Sequence, residues 1–170
     1  MFLEAVSLRV VANVFILGKD MKALIQRVRR CSVTIAGVEH NSIGHGMLIF
    51  LAVKQEDKEE DAAYLAERCA ALRIFEDSQG KMNLSVRDVD GAAMVVPQFT
   101  LYGDTTRGNR PSYSAAAHPE FAESLYESYV RHLGTLLGDE KVATGVFRAM
   151  MDVELVNDGP VTVMVESKTS

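Results

Sequence analysis

Apolar and polar residues alternate over residues 22–28 (KALIQRV) and again over 33–35 after a short break. A period of two marks half-buried strands, so these runs predict an opening antiparallel pair. Residues 43–53 (IGHGMLIFLAV) begin with the turn glycines Gly44 and Gly46 and then become unbrokenly apolar, as in a strand buried on both faces. The period lengthens over residues 56–72. Ala62, Leu65, Cys69 and Leu72 recur at helical spacing, and acidic residues crowd the first turns, where the helix dipole favours them. Ser78-Gln79-Gly80 reads as a turn, residues 92–96 as a strand stopped by Pro97, and residues 103–111 (GDTTRGNRP) as a loop. Pro119 suits the first position of a second helix, whose inner stripe is Phe121, Leu125, Tyr129, Leu133 and Leu136 and whose end Gly138 can cap. The last strands, 153–156 and 161–165, flank Asn157-Asp158-Gly159-Pro160. The order ββ, βα, βα, ββ predicts a single α/β domain of layered sheets, with two main helices covering one sheet and extra strands forming a second layer.

Composition narrows the class of function. A 170-residue chain, 48% hydrophobic, can bury one good core. Its net charge of −5 argues against a general nucleic-acid coat, which needs a broad basic surface, but allows a grip on one end of an RNA. Cys31 and Cys69 form no CxxC pair and no disulfide framework; both read as reduced and buried or half-buried, in a cytoplasmic setting. The four histidines show no ligand spacing, so no metal and no cofactor is expected.

The uncharged run at residues 10–18 is too short to span a bilayer, and Glu4 rather than a basic cluster precedes it. Residues 1–20 are therefore expected to be an extension ahead of a natural start at Met21, with the domain at 21–167 and a tail at 168–170. No membrane association is expected.

Two segments are candidates for chemistry. Val96-Pro97-Gln98-Phe99-Thr100-Leu101 ends an apolar strand; it reads either as a polar rim or as a ligand-facing corner. In the second reading Pro97 removes one donor and leaves the following amides free. Asn157-Asp158-Gly159-Pro160-Val161-Thr162 reads either as a hairpin turn or as a rigid main-chain corner, since X-Pro is the one place where a cis peptide is readily reached.

Both segments, in this order and about sixty residues apart, resemble the two signature motifs of D-aminoacyl-tRNA deacylases, the SQFTL-type motif and the NxGPxT motif. MKALIQRV from Met21, RIF near Ile74, GKMNLSV from Gly80 and RGNRPSY from Arg107 extend the resemblance over nearly all of residues 21–166. One departure stands out: Pro97 occupies the place of the usual serine, so no role of that hydroxyl carries over.

The resemblance implies a homodimeric hydrolase that acts on the 3′ end of aminoacyl-tRNA, with its active sites at the subunit interface. Gly159-Pro160 of one subunit, in cis, would enter the pocket formed by Gln98, Phe99 and Thr100 of the other. Its carbonyls would exclude an L side chain, while D-aminoacyl esters, and glycine mischarged on tRNA-Ala, would be cleaved. No Ser-His-Asp set, Cys-His pair or metal cluster is visible, and Thr100 lacks a neighbouring base. The resemblance instead implies RNA-assisted catalysis. The neighbouring ribose hydroxyl helps activate water, main-chain amides at Phe99 and Thr100 stabilise the oxyanion, and Thr100 positions the substrate. Arg27, Asn157 and Thr162 are expected to support the Gly-Pro corner, although Arg27 reads equally as an exposed strand charge. Arg107 and Arg110 are candidates for RNA phosphates or for a solvated loop; Arg29-Arg30 carries no functional expectation. Two rivals remain open: a deacylase of relaxed chirality, and a non-catalytic aminoacyl-tRNA-binding protein.

Overall fold

The computed structural model describes residues 20–167, so the expected extension (Asp20 apart) and the tail 168–170 lie outside the described residues. The elements are β1 (Lys22–Ile35), β2 (Val38–Ile43), β3 (Gly46–Ala52), α1 (Glu59–Ala70), β4 (Phe75–Glu76), β5 (Met82–Leu84), β6 (Ala92–Pro97), α2 (Pro119–Leu137), β7 (Val142–Thr144) and β8 (Asp152–Glu166). Six strands form one mixed sheet in the order β2-β1-β3-β6-β7, with β8 also paired to β1; β4 and β5 make a small separate hairpin. The fold class is the expected α/β.

Two expected breaks are absent. Residues 22–28 and 33–35 belong to one long strand, and so do 153–156 and 161–165. The two long strands pair antiparallel along their length, with register shifts at 26/28 and 28/30. A bulge bends and twists a strand without ending it. Its effect shows in the side chains. Ala23 and Ile25 face one core, whereas Val28, Cys31 and Val33 face another, so β1 crosses from one layer to the other at its exposed Arg29 and Arg30. The segment 157–160 is therefore a bulged corner within β8 and not a hairpin turn.

The first core lies between the sheet and both helices. Ala62, Leu65 and Cys69 of α1 and Leu125, Tyr129 and Leu133 of α2 pack there against Ile25, Ile49 and Val95. The predicted stripes are thus the buried ones, with Leu72, Phe121 and Leu136 at the margin. Helix α1 starts three residues later than its pattern implied, because Asp57 turns the chain first: its Oδ2 accepts the Lys54 amide at 2.6 Å. Gly138, at φ 99°, caps α2 by donating its amide to the Gly134 carbonyl at 2.8 Å.

The second core holds Val28, Cys31, Val33, Leu48, Met94 and Val96 under the curled ends of β1, β2 and β8. The curl brings the two sheet edges together, and Asn41 of β2 donates to the Thr144 carbonyl of β7 at 2.7 Å. Strand β3 sits centrally, buried on both faces as its composition predicts. Gly46 is required there, since a Cβ would lie 1.9 Å from the Ala92 carbonyl oxygen. Both cysteines are free and buried. No helix among the described residues is long and apolar enough to cross a membrane.

Candidate active site

Strand β7 stops opposite Val95, so Pro97, at the end of β6, has only β3 as a neighbour, and its missing amide costs no ladder bond there. The Gln98 amide still joins the ladder, donating to the Leu51 carbonyl at 2.8 Å. This corrects the expectation that the amides after Pro97 are free from the first one onward. The chain then tightens into a 3-10 turn, Phe99–Tyr102. The first amides of such a turn, those of Phe99 and Thr100, have no acceptor within it. Tyr102 closes the turn from below: its hydroxyl donates to the Asp20 carbonyl at 2.6 Å.

Phe99 and Thr100 are exposed and border a cleft of about 630 Å³. Residues 51–53 form its floor, 96–100 one wall, Pro119, Ala122 and Tyr126 of α2 another, and the β7–β8 loop, 147–151, its lip. The lining is mostly apolar. Phe99 is 57% exposed and meets Tyr113 edge-on, with ring centroids 5.2 Å apart. The Gln98 side-chain amide donates to the Thr100 hydroxyl. Only Tyr126 and Arg148 among the described lining residues ionise. The Tyr126 hydroxyl is committed to the Val95 carbonyl at 2.8 Å, and burial pushes its pKa far up. Among the described residues, the cleft walls therefore present no side chain that acts as a base near neutral pH. Arg148, Tyr126 and Tyr102 had no place in the sequence reading; none sits in a recognisable spacing, and only the fold gathers them here.

The second motif builds a separate corner. Asn157 clasps the bulge: its Oδ1 accepts the Val161 amide at 2.8 Å and its Nδ2 donates to the Val161 carbonyl at 3.0 Å. Thr162 receives a third contact from the same Nδ2 at 3.4 Å. Between the clasped ends, Gly159 and Pro160 stand exposed, joined by a cis peptide. Arg27 is 5% exposed, so it is not the open strand charge that its position allowed. Its guanidinium donates to the Asp158 carbonyl and to the Ile74 carbonyl, both at 2.7 Å. It also pairs with the Asp158 carboxylate at 3.6 Å, which Arg29 approaches at 3.3 Å from the other side.

The structure thus gathers Gln98, Phe99 and Thr100 in one place and Arg27, Asn157, Gly159, Pro160 and Thr162 in another. The two groups do not meet within the chain. Three strand spacings and four residues of β6 separate them, about 20 Å. Arg107 and Arg110 lie exposed in a loop closed by the Asp104 and Ser112 main-chain pair.

A family model described as D-Tyr-tRNA(Tyr) deacylase matches residues 24–166. The chain belongs to this family. A D-aminoacyl-tRNA deacylase of Koribacter versatilis is 54% identical over 148 residues, covering 87% of this chain and 98% of the relative. One from Halalkalibacterium halodurans is 53% identical over 148 residues, 87% of this chain and all (100%) of the relative. Among solved structures, a c-Myc DNA unwinding element binding protein superposes with a TM-score of 0.83 at 37% identity, over 87% of this chain and 99% of that one. A probable eukaryotic D-amino acid tRNA deacylase shares the fold, with a TM-score of 0.76 at 15% identity over 86% of this chain and 99% of that one. Family members are hydrolases, and the motif residues described above fall within the matched span.

Proposed function

We propose that this chain is a cytoplasmic editing enzyme that hydrolyses the ester of D-aminoacyl-tRNA, releasing the free D-amino acid and tRNA. The observation that carries the reading is the cleft itself: two main-chain amides that open a 3-10 turn, an apolar wall and no base among its described lining residues, in a chain about half identical to curated D-aminoacyl-tRNA deacylases. Water adds to the ester carbonyl, the amides of Phe99 and Thr100 hold the oxyanion, and the ester C–O bond breaks with the proton returned to the ribose oxygen. The ribose hydroxyl beside the ester helps activate the water, because the cleft offers no base of its own. Gln98 and Thr100 orient the substrate.

Chirality is imposed by the Gly159-Pro160 corner of a partner subunit. The separation of the two motifs in one chain supports this, and so does the sheet face opposite the helices. There Met164, Leu24 and Phe50 are cross-strand neighbours, with Met164 left 44% exposed. The row runs from the strand of the corner toward that of the cleft. A two-fold axis through it buries the row and carries each corner toward the other cleft. An L side chain then meets main chain, a D side chain points away, and glycine has nothing to exclude, so glycyl-tRNA mischarged on tRNA-Ala is also a substrate.

Single-turnover deacylation of D-tyrosyl-, L-tyrosyl- and glycyl-tRNA tests the reading. D-tyrosine and glycine are released and L-tyrosine is retained. Equal D and L rates point to a deacylase of relaxed chirality, and binding without turnover to a non-catalytic protein; either result overturns the proposal.

A further inference from the structure

Among the described residues, three that are not glycine have positive φ: Ala36, Asp90 and Arg148. Ala36 belongs to the tight β1–β2 turn and Asp90 to the turn before Gly91, and neither lines the cleft. Arg148 is different. The Ala149 amide donates to the Val146 carbonyl at 3.2 Å, making Phe147 and Arg148 the centre of a β-turn. Arg148 has φ 65° and Phe147 is not among the positive-φ residues, the pattern of a type II turn. That turn favours glycine at its third position.

The side chain does not repay the strained backbone through packing. It is 64% exposed, and its ion pair reaches 3.9 Å to Glu120, itself 83% exposed, a geometry that contributes little to folding. Yet Arg148 lies on the lip of the cleft and is the one cation among the described residues lining it. Strained backbone held at a binding site points to a task for the side chain.

We propose that Arg148 is a substrate-binding residue that grips the phosphodiester on the 5′ side of the aminoacylated nucleoside. This rests on the deacylase reading of the cleft. A cleft of about 630 Å³ takes an aminoacyl group and one nucleoside, so the next group of the RNA strand to emerge at its lip is a phosphate. A guanidinium matches that phosphate with two parallel donors. In a chain of net charge −5, the contact has to be supplied locally, because the overall field repels the strand.

The test compares wild type with Arg148→Gly and Arg148→Lys on D-tyrosyl-tRNA and on D-tyrosyl-adenosine, which has no phosphate. For Arg148→Gly, the ratio of kcat/KM on tRNA to that on the adenosine ester falls about tenfold, equivalent to about 1.4 kcal/mol. Lysine restores part of it. The slope of log(kcat/KM) against log[salt] on tRNA becomes shallower by about 0.7, the share of one single-strand phosphate. Glycine also relieves the turn, so Tm rises by roughly 2–4 °C, which excludes misfolding as the cause of lost activity. A higher Tm with an unchanged ratio and slope overturns the proposal, leaving a strained residue without a substrate role. Binding of uncharged tRNA repeats the comparison without turnover. If wild type cleaves neither ester, the deacylase reading fails, while a tenfold weaker Kd for Arg148→Gly, or an unchanged one, still decides the phosphate contact.

Discussion

Replacing Arg27 by methionine keeps the apolar stem and removes the guanidinium fork that joins β1 to the Gly159-Pro160 corner. The fork makes two short charge-assisted bonds, to the carbonyls of Asp158 and Ile74 at 2.7 Å. The Ile74 carbonyl is then left buried without its donor, and the Asp158 carbonyl partly so. Orphaned groups of this kind cost about 1–3 kcal/mol each. Relief of guanidinium desolvation offsets part of the loss. The ion pair with Glu76, at 3.7 Å and 58% exposed on the glutamate side, adds little. Arg27→Met therefore destabilises the fold by about 2–4 kcal/mol, or roughly 5–15 °C in Tm for a domain of this size. The corner is also freed from β1, so the rate on L-tyrosyl-tRNA relative to D-tyrosyl-tRNA rises at least about tenfold, a barrier change of about 1.4 kcal/mol. Thermal unfolding at fixed protein concentration and single-turnover deacylation read the two effects separately. Glu76→Gln is the control: it removes a charge near Arg27, leaves both hydrogen bonds and shifts stability by less than about 0.5 kcal/mol. The reasoning is refuted if Arg27→Met matches wild type in stability, or if it is destabilised while its D-to-L ratio stays intact.

Two further perturbations address the chemistry and the core. Thr100→Ala loses less than about tenfold in kcat, whereas D-tyrosyl-tRNA lacking the neighbouring hydroxyl on its terminal ribose loses about 10²- to 10⁴-fold, the usual contribution of a proton-transfer group; single-turnover rates that reverse this order implicate Thr100 as the nucleophile. Burial raises the Asp57 carboxyl from 3.8 to about 7, and its Oδ1 has no hydrogen-bond partner among the described residues. The folded state therefore holds a proton that the unfolded chain has released, and the associated stability, roughly 4 kcal/mol, is complete below 3.8 and lost as pH rises through 7. Asp57→Asn keeps an acceptor for the Lys54 amide and flattens this dependence. Its Tm exceeds that of wild type at pH 8 and converges on it toward pH 4, as thermal scans across pH will show.

Much of the fold is legible in the sequence because burial writes periods into it. The stripe Ala62, Leu65, Cys69 on α1 and the stripe Leu125, Tyr129, Leu133 on α2 are the surfaces that meet the sheet. The unbroken run of β3 reflects its central place. The long strands are harder to read. Arg29-Arg30 and Asn157-Asp158-Gly159-Pro160 interrupt the alternation as turns do, yet here they are bulges, and bulges look like turns when strand pairing is not visible. Both motif segments were recognisable as strings. What the strings lack is distance: the separation of Thr100 from Gly159 within one chain is a property of the β8-β1-β3-β6 order, which no local pattern encodes. Arg27 illustrates the same limit, since strand alternation places it on a face but does not reveal that Ile74 and Asp158 bring carbonyls to it. Arg148 left no signal at all, because an arginine at a glycine-favouring turn position is noticeable only once its φ is known.

The central claim is that the corner of one subunit guards the cleft of the other, and mixed dimers test it most directly. A Cβ at Gly159 would lie 2.5 Å from the Val161 nitrogen, so Gly159→Ala displaces the corner and leaves its own cleft intact. Phe99→Pro removes a cleft amide at the first position of its turn, where proline fits, and leaves its own corner intact. With the two variants carrying different tags, the purified hybrid has one intact cleft, contributed by the Gly159→Ala subunit and facing the native corner of its partner. The account predicts that this hybrid hydrolyses D-tyrosyl-tRNA and spares L-tyrosyl-tRNA, although the Gly159→Ala homodimer attacks both. A hybrid that attacks the L ester as readily as that homodimer would contradict it.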